Sequence, residues 1–324
     1  MSLLSCPNEL LLLVAECLVP HAKYFKTLLS ANRRLYFLLI DRFHRLGAET
    51  TSDEPVLHWA IKKQNVPLLH LLLENGADPN TRESLSGLSK TALHRAAESG
   101  ATVMIKPLLD RGAHIDLQDS DGRSALAHAI TMRHFATAQA LLDGGADANP
   151  ADSEGATALH CAVYATRGTS NGDVEALIRR LVSSGAAVDC LDCGGVTPLY
   201  LAVTRDRVRV VRLLLECGAN LFLRRERGND EIRRAVMNND VEMAELFLEQ
   251  RGADINYQDG DGKTALHYAA ALTVRGAGWD LEPIIRLLIS KGGDVSIADN
   301  QGSRPVVFAR DAPEKVRWLL EGGR

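Results

Sequence analysis

The sequence predicts an all-α solenoid of about eight helix-turn-helix repeats, preceded by a short three-helix segment. Three observations predict it. A Leu-Leu-x-x-Gly-Ala-Asp phrase recurs: Gly76, Gly112, Gly145, Gly185, Gly218, Gly252 and Gly292 each close an aliphatic run, at intervals of 36, 33, 40, 33, 34 and 40 residues. A second phrase keeps step with it, at Val56-Leu57-His58, Ala92-Leu93-His94, Ala158-Leu159-His160, Pro198-Leu199-Tyr200 and Ala265-Leu266-His267. Within each frame the apolar residues follow the i, i+3, i+4 spacing of a helix. One such unit cannot bury its own apolar face, so neighbours must stack to supply the core. A solenoid is first an extended binding surface, and chemistry on it needs separate evidence.

The elements follow in order. Residues 1–50 break the period. Pro7 to Leu18 reads as a helix with proline placed early, where its missing N–H costs least. A second apolar helix spans Phe25 to Leu29, and Asn32-Arg33-Arg34-Leu35-Tyr36 opens a third. Three short helices make a marginal core alone. Residues 51–324 are the repeats. The stretch from Asp119 to Asp152 is the type unit. Asp121-Gly122 makes a turn, and Ser124 caps a first helix. Ala129 and Ala138 are small, as close helix pairing requires. A second helix runs from about Ala136 to Asp143, with Gly144-Gly145 ending it in the left-handed region. The sixth repeat, at Asp230-Glu231-Ile232-Arg233, is the weakest. The last keeps Arg304-Pro305-Val306-Val307 and the run from Val316 to Leu320, with charged residues that suit a polar cap. The two intervals of 40 each carry seven extra residues, Thr166 to Gly172 and Val274 to Asp280, read as surface loops or as partner-contact loops. Trp279 lies in the second.

The order of turn, Thr-Pro-Leu-His-x-Ala, helix pair and Leu-Leu-x-x-Gly-Ala-Asp-x-Asn resembles the ankyrin repeat. Thr91 to Ala97, Thr157 to Ala162 and Thr264 to Ala270 are nearly the full motif; Thr197-Pro198-Leu199 keeps the family proline but has Tyr200 in the histidine place. The resemblance covers about five-sixths of the chain. Residues Pro7, Glu9, Leu10 and Leu11, then Asn32 to Tyr36, resemble an F-box of the form found ahead of ankyrin repeats in filamentous fungi. Cys6 stands where that family has leucine. The resemblance implies docking on a Skp-type adaptor of a cullin–RING ubiquitin ligase, through Leu10, Leu11 and Leu35, while the repeats hold a substrate. The rival reading is that these helices only cap the first repeat.

Bulk properties narrow the function. Formal net charge is -4, so no global positive field draws the chain to nucleic acid or anionic membrane. The apolar run from Leu10 to Val14 is bracketed by Glu9 and Glu16, and reads as a helix face rather than a leader or membrane span. The six cysteines keep no register with the repeat, which suits a reduced protein of the cytoplasm or nucleus. Cys190-Leu-Asp-Cys193 has the spacing of half a zinc site, but no second pair matches it. No cofactor or metal is expected. The arginines 179, 180, 205, 207, 209 and 212 read as solvated helix surface, without a nucleic-acid reader motif.

The search for chemistry finds no nucleophile elbow, phosphate loop, zinc-helix motif or dinucleotide fingerprint. His58, His94, His160 and His267 share one repeat position, where a histidine bonds turn backbone between neighbours. The expected function is a protein-binding scaffold and not an enzyme. Motif alignment places Trp59, Arg95, His128, Cys161, Leu201, Arg234, Tyr268 and Phe308 on the concave side. Of these, Trp59, Arg95, His128, Arg234 and Tyr268 are the candidate anchors for a protein partner or extended peptide. Neither Arg95 nor Arg234 lies at a frame position, so replacing them is expected to weaken binding and spare the fold. The alternative is a small-molecule enzyme, a cyclase, isomerase or lyase, with the insertions folded over the groove.

Overall fold

The computed structural model describes residues 56–74, 76–83, 87–165, 171–221, 223, 230–250, 252–272, 280–310 and 312–323. The F-box-like segment, with Leu10, Leu11 and Leu35, lies outside the described residues. So do residues 166–170 and 273–279, which include most of both insertions and Trp279.

The chain divides into two compact units, Met1–Pro198 and Leu199–Arg324. In the first, α1 (Val56–Lys62), α3 (Ala92–Ser99), α5 (Ala125–Thr131) and α7 (Ala158–Tyr164) pack side by side as the first helices of successive repeats. Behind them stack α2 (Val66–Glu74), α4 (Thr102–Asp110), α6 (Phe135–Asp143) and α8 (Asn171–Ser183). The second unit repeats the plan. Its first helices are α9 (Pro198–Thr204), α11 (Asp230–Met237), α13 (Ala265–Leu272) and α15 (Pro305–Phe308). Its second helices are α10 (Val208–Glu216), α12 (Val241–Leu248), α14 (Glu282–Ser290) and α16 (Glu314–Leu320). Among the described residues strand pairing is limited to two isolated bridges, Glu83 with Lys90 and Gln118 with Ser124. The architecture is the helix-turn-helix solenoid that the two phrases predict.

The repeated residues explain the repeated shape. The Ser124 hydroxyl accepts from the Ala127 amide at 3.3 Å, and Asp240 accepts from Met243 at 2.9 Å, so each helix starts with a free amide satisfied. Leu93, Leu126 and Leu159 fill the core, and Ala129 and Ala138 are fully buried where helices approach closely. Each buried leucine contributes about 1.5–3 kcal/mol. Of the two glycines closing α6, Gly144 stays right-handed at φ -76° and Gly145 alone turns left-handed at φ +90°. The expected double-glycine stop is thus a single left-handed residue, placed one position further on.

The hairpins between repeats form a ladder of their own. In the first unit the Ser120 amide donates to the Leu88 carbonyl at 2.9 Å, Ser153 to Asp121 at 2.8 Å and Cys193 to Glu154 at 2.9 Å. In the second, Asn300 donates to Asp261 at 3.0 Å. This ladder holds each hairpin at one height beside its neighbour, and so sets where the side chains of the first helices sit.

Candidate functional site

The side chain that follows the histidine place stands at the same point of each first helix, four residues after the cap. Nine residues before His128 and Tyr268, and twelve before Arg95 in the second repeat with its three extra residues, lies an acid in the hairpin turn. Structure joins the two. Arg95 grips Glu83 with two bonds, Nε to Oε2 at 2.6 Å and Nη2 to Oε1 at 2.7 Å. His128 Nε2 lies 2.7 Å from Asp119 Oδ2. In the second unit the Tyr268 hydroxyl donates to Asp259. In these three repeats the residue braces its own hairpin to its own helix.

Each acid is also held by turn amides. Asp119 Oδ1 accepts from Asp121 at 3.0 Å and from Arg123 at 2.9 Å. Burial alone pushes these carboxyls up, and their donors outweigh it. Glu83 sits below the ordinary carboxylate value because of Arg95 and His58, Asp119 because of His128 and the Arg123 amide, and Asp259 because of Tyr268 and the Lys263 amide. None of these three acids is assigned this bracing role from the sequence alone. The signal for two of them was there, in Asp119-Ser-Asp-Gly-Arg123 and Asp259-Gly-Asp-Gly-Lys263.

The first two hairpins and three first helices share one buried ionic cluster. Arg95 reaches on to Glu98 at 3.2 Å, and Lys90 pairs with the same carboxylate. His128 Nδ1 stands 3.4 Å from Glu98 Oε1. His58 Nδ1 lies 3.3 Å from Glu83 Oε2, and its Nε2 faces the Thr81 carbonyl at 3.0 Å. Glu83 is 1% exposed and His128 5%. Arg95 is therefore part of the frame, contrary to the expectation that it stands outside it. His128 is buried too, with both ring nitrogens facing carboxylates.

The remaining histidines at the shared position behave as expected. In His94, His160 and His267, Nδ1 accepts the amide of the capping threonine at 3.1, 3.2 and 3.0 Å. Nε2 then donates to a carbonyl of the next hairpin, at Arg123, Val196 and Ser303, each at 3.0 Å. The neutral ring satisfies both bonds. Burial pushes His94 down to about 4 and lowers His267.

The other positions of the row differ in exposure. Trp59 is half-buried and Cys161 buried in the first unit. One turn beyond Cys161, Tyr164 is exposed. In the second unit Leu201 is buried, Arg234 is exposed with its guanidinium 5.9 Å from the Tyr200 ring centre, and Met237 is exposed one turn on. Phe308 stacks edge-on against His267 at 5.8 Å. A small cleft beside Tyr268 is lined by Arg233, Tyr257, Asp259 and Lys263, with Arg233 lying 5.4 Å over the Tyr268 ring. Among the described residues no group of three or more His, Cys, Asp or Glu side chains could hold a metal ion. Cys161, Cys190, Cys193 and Cys217 are free thiols. No helix of the described residues is long and apolar enough to cross a membrane.

Comparison with known proteins follows this geometry. The family described as "Ankyrin repeats (3 copies)" matches residues 21–119, 57–152, 93–171, 144–225 and 232–324. The mouse B-cell lymphoma 3 protein homolog is 32% identical over 304 residues, covering 91% of this chain and 58% of that protein. Mouse NF-kappa-B inhibitor zeta is 28% identical over 286 residues, covering 85% of this chain and 37% of that protein. Human SH3 and multiple ankyrin repeat domains protein 2 is 28% identical over 251 residues, covering 77% of this chain and 11% of that protein. The chain thus spans less than two-thirds of the length of these relatives. Among solved structures, the ankyrin repeat domain of Bcl-3 is similar at 26% identity, covering 84% of this chain and 100% of that chain, with a TM-score of 0.47.

Proposed function

The chain belongs to the ankyrin-repeat family, and on that premise we propose that it is a protein-binding scaffold whose first-helix row takes an extended segment of a partner. One observation carries this reading. The frame side chains are buried and alike from repeat to repeat, while the row beside them varies from Trp59 to Arg234 and Tyr268. A constant frame with a varied, partly exposed row is how a repeat surface gains specificity from a few anchors. The anchors with accessible surface are Trp59 and Tyr164 in the first unit, and Arg234 and Met237 in the second. Arg95 and His128 serve the row by holding the hairpins beside it. Arg95, His128 and Tyr268 are each paired with a hairpin acid rather than arranged around a reacting centre, which supports binding and not catalysis.

Affinity capture with the full chain, beside W59A and R234A variants checked for helix content, tests the scaffold. Capture of a protein that at least one variant loses supports it. Capture unchanged by either variant, or conversion of a small molecule in place of protein binding, would sink it. The finer reading is that residues 1–50 dock a Skp-type adaptor, supported by Pro7, Glu9, Leu10, Leu11 and Asn32 to Tyr36. Co-elution with such an adaptor, lost on replacing Leu10 and Leu11, is its test. We place the protein in the cytoplasm or nucleus, on the sparse cysteines and free thiols, and assign it no nucleic-acid partner.

A further inference from the structure

Arginine occurs twice in the row, and the two differ in what the hairpin ahead of them carries. Ahead of Arg95 stands Glu83, which draws the guanidinium inward with two bonds. In later repeats an acid stands nine residues before the row, as Asp119, Asp152, Asp192, Asp259 and Asp299. The sixth repeat breaks this pattern: nine residues before Arg234 the sequence has Arg225. Arg234 thus lacks the acid that would draw it inward. Its own geometry agrees. Arg234 is exposed, makes no ion pair among the described residues, and lies 5.9 Å over the Tyr200 ring. We propose that Arg234 is where the second unit takes an Asp or Glu side chain of the partner segment, with an apolar side chain of that segment on Met237. This rests on the scaffold reading and names what the scaffold selects.

A guanidinium offers N–H donors in a fixed fork that matches a carboxylate with two parallel bonds. The Tyr200 ring supports Arg234 before any partner arrives, so less freedom is lost on pairing. Other arginines of the second unit already have acids. Arg212 bonds Glu242 at 2.7 Å, and Arg286 bonds Glu282 at 2.6 Å. Arg233, next to Arg234 on α11, lies over the Tyr268 ring and 3.9 Å from Asp259. One of the two adjacent arginines is therefore committed within the repeats, and the other is offered outward.

The ground beside Arg234 is apolar. Met237 follows it by one turn on the same side of α11 and is 41% exposed. Its flexible thioether chain adapts to apolar partners of different shape. Leu201, the row residue of the preceding repeat, is buried and brings no competing charge. One unpaired cation beside one exposed apolar side chain suits a single carboxylate with an apolar neighbour.

Selection of a random peptide library on the full chain tests the site. The wild type should enrich Asp or Glu at one position, beside an apolar residue. R234A should erase the acidic preference, and R234E should erase it or reverse it to Lys or Arg. M237D should remove the apolar preference and leave the acidic one. Replacing the enriched acid of a selected peptide by its amide should weaken binding to the wild type about tenfold, the scale of a hydrogen bond to a charged group. The same replacement should change binding to R234A less than about twofold, as a double-mutant cycle requires. Helix content of each variant checks the fold. Binders without an acidic preference, or an acidic preference that survives in R234E, overturn the Arg234 site and leave the scaffold standing. An apolar preference unchanged in M237D overturns the role of Met237. A library that yields no binder at all overturns the scaffold reading and the site with it.

Discussion

Arg95 and Arg234 occupy the same position of their repeats and do different work. Arg95 holds Glu83 on both oxygens, and Glu83 is 1% exposed. Removing the guanidinium leaves a buried carboxylate with His58 for company. Arg95→Ala should therefore destabilise by about 2–4 kcal/mol, between the cost of an unsatisfied buried group and that of a broken buried pair. Arg234 is exposed and touches one ring, so Arg234→Ala should cost less than about 1 kcal/mol. Urea unfolding of the two variants separates them. Equal, small losses would mean that Glu83 finds water instead.

At the scale of elements, the glycines show which parts of a repeat are fixed by the chain and which by its neighbour. Gly145 has φ +90°, and a Cβ built there meets nothing within 4 Å. Its substitution by alanine costs only the left-handed backbone, about 1–2 kcal/mol. Gly155 has φ +78°, and a Cβ there would stand 2.6 Å from the Cys193 amide nitrogen of the next hairpin. Gly155→Ala must push two hairpins apart and strain the bond from Cys193 to Glu154, so it should cost clearly more than Gly145→Ala. Chemical denaturation of the pair checks the order, and a reversed order would refute the hairpin ladder as a tight contact. The second-helix glycine is thus a local stop. The hairpin glycine is a contact surface.

For the whole molecule, the ionisable groups predict weakness toward acid. His94 is pushed from 6.5 to about 4 and His267 is lowered too, so the unfolded chain takes up these protons first as pH falls. Their contribution is complete above about pH 6.5 and is lost on the way down. For His94 alone the loss by pH 4 is about 3 kcal/mol. Glu83, Asp119 and Asp259 are lowered carboxylates and add a second decline below their ordinary range. Asp240 runs the other way, raised by burial and by Asp206. Melting temperature should fall from pH 7 to pH 4, and His94→Gln should flatten that fall. A wild-type curve that is level across this range contradicts the assignment.

The solenoid, the register of its helices, the buried leucines and the histidine-to-carbonyl bonds were all legible in the sequence, because the frame residues recur and a recurring residue reports a recurring contact. Thr91 with His94 and Thr157 with His160 are local pairs, three residues apart, and their spacing alone implies the cap. The brace between Arg95 and Glu83, and the cluster running through Glu98 to His128, were not legible. Those partners lie on different elements, and the row position is occupied by arginine, histidine, cysteine and tyrosine in turn, so no phrase repeats to mark it. Only packing of one hairpin against the next brings the acids under the row, and burial then decides that a charged side chain there is bound inward as a brace rather than offered outward to a partner.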